Sequence, residues 1–107
     1  MNNRFDSYKG FCIERLRAQS KKFKKLSEDT LKQPVKAIWA IGGVVGDGDF
    51  NDTSDVELLV ELEENSESVA DLEYELQSEI ETCATDIGFI SVYVGSPRDD
   101  EKKVKIC

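Results

Sequence analysis

Between Ile41 and Val60 the chain reads IGGVVGDGDFNDTSDVELLV, and this stretch holds the residue types and spacing for phosphate and metal chemistry. Gly42 and Gly43 follow an apolar run, and a glycine pair lets bare backbone amides approach a phosphate closely. Asp55 and Glu57, two residues apart, project to the same side of a strand. Two carboxylates so placed can hold a divalent cation over an adjacent phosphate, because hard cations such as magnesium take oxygen ligands and keep some of their water. The same residues also read more simply, with Gly42, Gly43, Gly46 and Gly48 making turns and the two acids forming the wet side of an amphipathic strand.

A second pattern overlaps the first. Asp47, Asp49, Asn51, Thr53 and Asp55 fall at alternate positions, as the ligands of a calcium loop do. The sixth place holds Asp52 where that loop needs glycine, and the twelfth holds Leu58 where it needs a bidentate glutamate, so two essentials are missing. The chain has no histidine. That excludes a Ser-His or Cys-His nucleophile pair, an imidazole base and histidine-liganded zinc within this chain. Cys12, Cys83 and Cys107 are odd in number and far apart, which points to a reduced, intracellular setting. Cys12 and Cys83 fall on apolar helix faces as small core residues, and Cys107 is terminal and exposed. Trp39 reads as core. Lys21, Lys22, Lys24 and Lys25 read as a solvated helix face, without the interleaved aromatics of a nucleic-acid surface.

The elements that must position these residues follow from periodicity. Phe5, Tyr8, Cys12, Leu16, Phe23 and Leu26 recur at three-, four- and seven-residue steps, the stripe of an amphipathic helix over Phe5 to Leu31. Ser27, followed by Glu28 and Asp29, predicts a new N-cap that divides this region into two helices, and Pro34 ends it. Val35 to Val45, apolar on both faces, predicts a strand buried in the middle of a sheet. Asp55 to Glu63 alternates, with Val56, Leu58, Val60 and Leu62 on one side and Asp55, Glu57, Leu59 and Glu61 on the other. Val69, Leu72, Leu76, Ile80, Cys83 and Ile87 have helical spacing, with a capping box of Ser68 and Asp71 before them and Gly88 as the stop. FISVYV, from Phe89, predicts a short strand, and Lys103 to Cys107 a last edge strand. The expected fold class is α+β, a small mixed sheet of three or four strands with two or three helices packed on it.

At 107 residues the chain predicts one domain over 1–107. Its formal charge of −8 is unevenly spread. Residues 1–32 carry nine Lys or Arg against four Asp or Glu, a charge of +5, and residues 33–107 carry five against eighteen, a charge of −13. A basic helical lead, 1–33, thus precedes an acidic core, 34–107. No apolar run approaches the ~20 residues of a membrane span, and the N-terminus lacks the order of a signal peptide. A soluble, cytoplasmic protein is expected, with no membrane partner and no direct nucleic-acid binding.

The glycine pair and the acids together resemble the signature of the nucleotidyltransferase superfamily: a hydrophobic residue with Gly-Gly or Gly-Ser, about a dozen residues, then acid-hydrophobic-acid-hydrophobic. Ile41-Gly42-Gly43 and Asp55-Val56-Glu57-Leu58 stand at those places, and the chain's length and element order are similar to the minimal nucleotidyltransferase domains, some of which serve as antitoxins to helical toxins. The resemblance covers Pro34 to about Val94. It implies that Gly42 and Gly43 cradle the triphosphate of ATP or another nucleoside triphosphate, and that Asp55 and Glu57 are the catalytic, magnesium-binding acids. The family's third acid has its counterpart at Ser91, and Val44 and Val45 stand where members often carry a basic residue. These departures imply a retained fold with weakened or lost catalysis as the alternative to an active transferase. A reading of another class rests on charge. The acidic body, particularly Glu57 to Glu81, suits an antitoxin, immunity or inhibitor protein that covers the basic active site of a toxin or nuclease.

Overall fold

The N-terminal stripe forms two helices, α1 over Arg4–Ala18 and α2 over Ser20–Leu31, divided at Gln19. The computed structural model describes residues 4–46, 50, 54–63, 70–84, 87 and 89–107. The division lies eight residues before the expected N-cap at Ser27, and the chemistry of that serine explains the difference. Ser27 is fully buried inside α2, where its Oγ donates to the Phe23 carbonyl at 2.7 Å, the back-bonding a mid-helix serine adopts when no helix begins at it. At Gln19 the backbone bonds continue, with Gln19 N donating to the Arg15 and Leu16 carbonyls and Gln19 O accepting from Phe23 N. Gln19 is a single turn residue between the two helices, and Leu16 and Phe23 on either side of it are both completely buried. α2 stops at Lys32, which takes the left-handed conformation (φ 56°) and donates its N–H to the Glu28 carbonyl.

β1 spans Val35–Ile41 and gives way to a 3-10 turn over Gly42–Val44. The expected strand to Val45 is therefore shorter than its apolar run. Gly42 turns the chain with φ +73°, and Val44 is buried in the core below rather than in the sheet. β2 spans Asp55–Leu62, α3 Ala70–Cys83, β3 Phe89–Val94 and β4 Lys103–Lys105, which is shorter than the edge strand expected to Cys107. The capping serine and the glycine stop expected around α3, Ser68 and Gly88, lie outside the described residues, as does Val69.

The described strands form one four-stranded mixed sheet in the order β3-β2-β1-β4, and with the three helices this is an α+β fold. β1 runs antiparallel to β2 and β4, whereas β2 and β3 are parallel, as expected of strands joined through a helix. Ile38 and Ala40 of β1, Val56, Leu58 and Val60 of β2, and Ile90 and Val92 of β3 form the buried face. On it pack Cys12 and Leu16 from α1, Phe23 and Leu31 from α2, and Leu76 and Ile80 from α3. All three helices thus contribute to one core on one side of the sheet. The side chains that alternate to the other side, including Trp39, Glu57, Leu59, Ser91 and Tyr93, face away from the helices. Strand order requires the link from β3 to β4 to pass two strands, and residues 95–102 cross this second face: Ser96, Arg98 and Glu101 border a cleft whose floor includes Leu59 and Tyr93. No described helix is long and apolar enough to cross a membrane.

Candidate functional site

Register brings the sequence-predicted residues together. Ile41, the last residue of β1, pairs with Glu57, and Glu57 pairs with Ser91 on the other side, so the glycine turn, the acids of β2 and the serine of β3 meet at one end of the open sheet face. Glu57 reaches back over the turn. Its carboxylate occupies the space that a side chain on Gly42 would need, so the positive φ and the absence of a Cβ are both used at that position. Asp55 lies exposed at the start of β2, and its Oδ2 accepts a hydrogen bond of 3.3 Å from Ser91 Oγ. Gly42 and Gly43 are exposed. The turn is closed by Val45 N donating to the Gly42 carbonyl and Gly46 N to the Gly43 carbonyl.

Residues of α1, together with Phe50, pack against the turn. Lys9 Nζ donates to the Gly46 carbonyl at 2.6 Å, and the Tyr8 ring stacks on Phe50 at 5.6 Å between centroids. Phe50 is buried against Gly43, where a Cβ would come within 3.4 Å of its ring. The basic lead thereby places a lysine beside the turn, while Val44 and Val45 supply none. Lys21, Lys22 and Lys25 are exposed and Lys24 half-buried on α2.

Beyond the acids the open face becomes a cleft of about 360 Å³. Ile41, Gly42, Glu57, Leu59 and Tyr93 line it from the sheet, and Ser96, Arg98 and Glu101 from the crossing segment. A second cleft, of about 520 Å³, lies on the other side of Glu101 between Trp39, Val45 and Lys102 to Val104. Trp39 is accordingly not a core residue as its apolar surroundings in sequence imply. It is half-buried on the open face, its Nε1 donates to Glu61 Oε1 at 3.0 Å, and the Lys103 ammonium stands 5.8 Å from its ring. Cys12 is buried and Cys83 half-buried, as expected, whereas the terminal Cys107 is half-buried against the core, its carbonyl accepting from Ile38 N.

Asp55, Glu57 and the Ser91 hydroxyl are all oxygen donors, the set suited to a hard divalent cation that keeps part of its water. Among the described residues no three His, Cys, Asp or Glu side chains form a metal-binding group, so the carboxylates here stand as a pair. The alternative calcium loop cannot be placed, because Asp47, Asp49, Asn51, Asp52 and Thr53 lie outside the described residues, as does Gly48. Tyr93, Arg98 and Glu101 were not singled out by their sequence context. Tyr93 had a usable signal, since it stands two residues after Ser91 on a strand and so shares its face. Arg98 and Glu101 had none, because only the path of the crossing segment brings them over Leu59.

Compared with family models, curated proteins and solved structures, the chain has no match.

Proposed function

We propose that the chain is a nucleotidyltransferase-like domain that binds a nucleoside triphosphate with magnesium at the Gly42–Gly43 turn and the Asp55–Glu57 pair. One observation carries this reading: the Glu57 carboxylate is packed against Gly42 while Asp55 is bonded to Ser91 beside it, so residues distant in sequence share one exposed end of the sheet. Asp55 and Glu57 would hold the metal, and the exposed turn offers its backbone to the phosphates. When bound, magnesium would offset the negative charge of the phosphates. Ser91 orients Asp55 through its hydroxyl. It also leaves β3 without a carboxylate at the place where the family's third acid helps activate an acceptor hydroxyl, so transfer to a protein or nucleic-acid hydroxyl is slow or lost while binding is kept. Calorimetry with ATP and magnesium tests this. Binding that is abolished in Asp55→Ala and Glu57→Ala supports the proposal, and no heat at millimolar ligand overturns it.

The outer face of α3 favours a second role that is compatible with the first. Tyr74 is 80% exposed there, between the exposed Asp71, Glu75 and Glu79 at four-residue steps. Like charges so spaced cost a helix about 0.2–0.5 kcal/mol per pair, and a basic partner would offset that cost while burying the tyrosine. A domain of this kind would mask the basic active site of a toxin or nuclease, with association speeded by opposite charge. Tight, salt-sensitive co-purification with a basic protein supports this role; an association rate that is the same at low and high salt rules it out.

A further inference from the structure

The cleft under residues 95–102 continues from the carboxylate pair, and its lining changes character along the strands. On β2 the outward side chains run Asp55, Glu57, Leu59, and on β3 they run Ser91, Tyr93, so one two-residue step, roughly 7 Å, leads from acids and a hydroxyl to an apolar floor. Leu59 is only 7% exposed although no described helix covers its side of the sheet, and the Gly95 backbone lies over it, so that a Cβ there would be 3.9 Å from Leu59 Cδ1. Tyr93 next to it remains 42% exposed, with its ring available to a ligand. Among the described residues lining this cleft Arg98 is the one cation, against the carboxylates of Glu57 and Glu101. A volume of about 360 Å³ is within the range of small-molecule sites.

We infer that this cleft is the nucleoside subsite of the Asp55–Glu57 site, with Tyr93 stacking on the base and Arg98 contacting the phosphates; the inference rests on the nucleotide-binding reading and adds where each end of the ligand goes. A nucleotide is itself graded, with a planar ring at one end and an anionic chain at the other. The ring has an aromatic face and the buried Leu59 to lie on, and stacking on an aromatic side chain does not depend on which base is present. The phosphates enter a site whose own acids repel them, and the guanidinium of Arg98 supplies the opposite charge in a geometry that matches phosphate oxygens in pairs. Ser96 and Glu101, also on the lining, offer hydrogen-bonding side chains to the ribose hydroxyls or the polar edge of the base.

Calorimetry on the full chain with two probes, magnesium-ATP and magnesium-tripolyphosphate, separates the two ends. Tyr93→Ala is expected to weaken ATP about ten-fold and to leave tripolyphosphate unchanged, because only the stacked ring is lost. Tyr93→Phe, which keeps the ring, is expected to bind both probes as the parent does, and this conservative variant guards against a folding defect in the first. Arg98→Gln is expected to weaken both probes by a similar factor. If Tyr93→Ala and Arg98→Gln bind ATP like the parent while Asp55→Ala does not, the subsite is wrong and the carboxylate site stands. If the parent itself binds neither probe, the nucleotide reading fails and this inference with it.

Discussion

Gly42 is where backbone freedom and the candidate chemistry coincide. Its φ of +73° is costly for any residue with a Cβ, and the Glu57 carboxylate fills the space beside it. Gly42→Ala is expected to destabilise the fold by about 1–2 kcal/mol from the backbone alone, read from urea denaturation, and to displace Glu57 so that magnesium-ATP binding falls as well. Adding Glu57→Ala should relieve the collision but not the backbone strain. Lys32 is the reverse case: its left-handed conformation (φ 56°) caps α2 through the backbone N–H, a role that glycine fills without the strain of a Cβ. Lys32→Gly is expected to raise stability by about 0.5–1 kcal/mol, seen as a higher urea midpoint at an unchanged denaturant slope. A rise in the midpoint for Gly42→Ala, or a fall for Lys32→Gly, would contradict these assignments.

At the scale of elements, α3 does more than cover the sheet. β3 is an edge strand, and an edge leaves amides unpaired and ready to recruit another chain. Two of its amides are taken by α3 side chains: Val94 N donates to Glu73 Oε2 at 2.8 Å and Val92 N to Gln77 Oε1 at 3.2 Å. Residues four apart on one helix thus meet amides two apart on one strand, since both spacings are close to the same length. Glu73→Ala and Gln77→Ala are each expected to cost about 1 kcal/mol, and the double variant to speed hydrogen exchange at Val92 and Val94 and increase self-association. Unchanged exchange at those two amides would refute the edge-covering role. Glu28 acts in the same way on the other side of the helical layer, where its Oε2 accepts from Val35 N at 2.9 Å.

For the molecule as a whole, the contrast between a basic lead and an acidic body is one of surface and not of folding units. Cys12, Leu16, Phe23 and Leu31 come from the lead, and each is at most 2% exposed in the core shared with the sheet. Truncating a single buried phenylalanine costs about 3–5 kcal/mol, and a small domain has about 5–15 kcal/mol in total. The fragment 34–107 is therefore expected not to fold cooperatively, with a poorly dispersed amide spectrum and no sigmoidal urea transition. A cooperative transition in that fragment would show that the acidic body is a domain by itself.

Much of this was legible in the sequence because the signals are local. A period of two gave β2 its two faces, FISVYV set the bounds of β3, and helical spacing located α3, each from residues that are neighbours in the chain. The same period put Asp55 and Glu57 on one side of a strand. It also marked the apolar side as the covered one, but could not decide how three helices share the core there. Tertiary packing put them all opposite the acids, left Trp39 on the open face, and divided α1 from α2 at Gln19, between the buried Leu16 and Phe23 and without a side-chain cap. It also decided the path of residues 95–102. Strand order forces that link across the sheet, and so Arg98 and Glu101, set among ordinary turn residues, come to border the same cleft as Glu57 and Gly42. Residue type and spacing determined which groups could do chemistry; only long-range pairing decided which of them stand together.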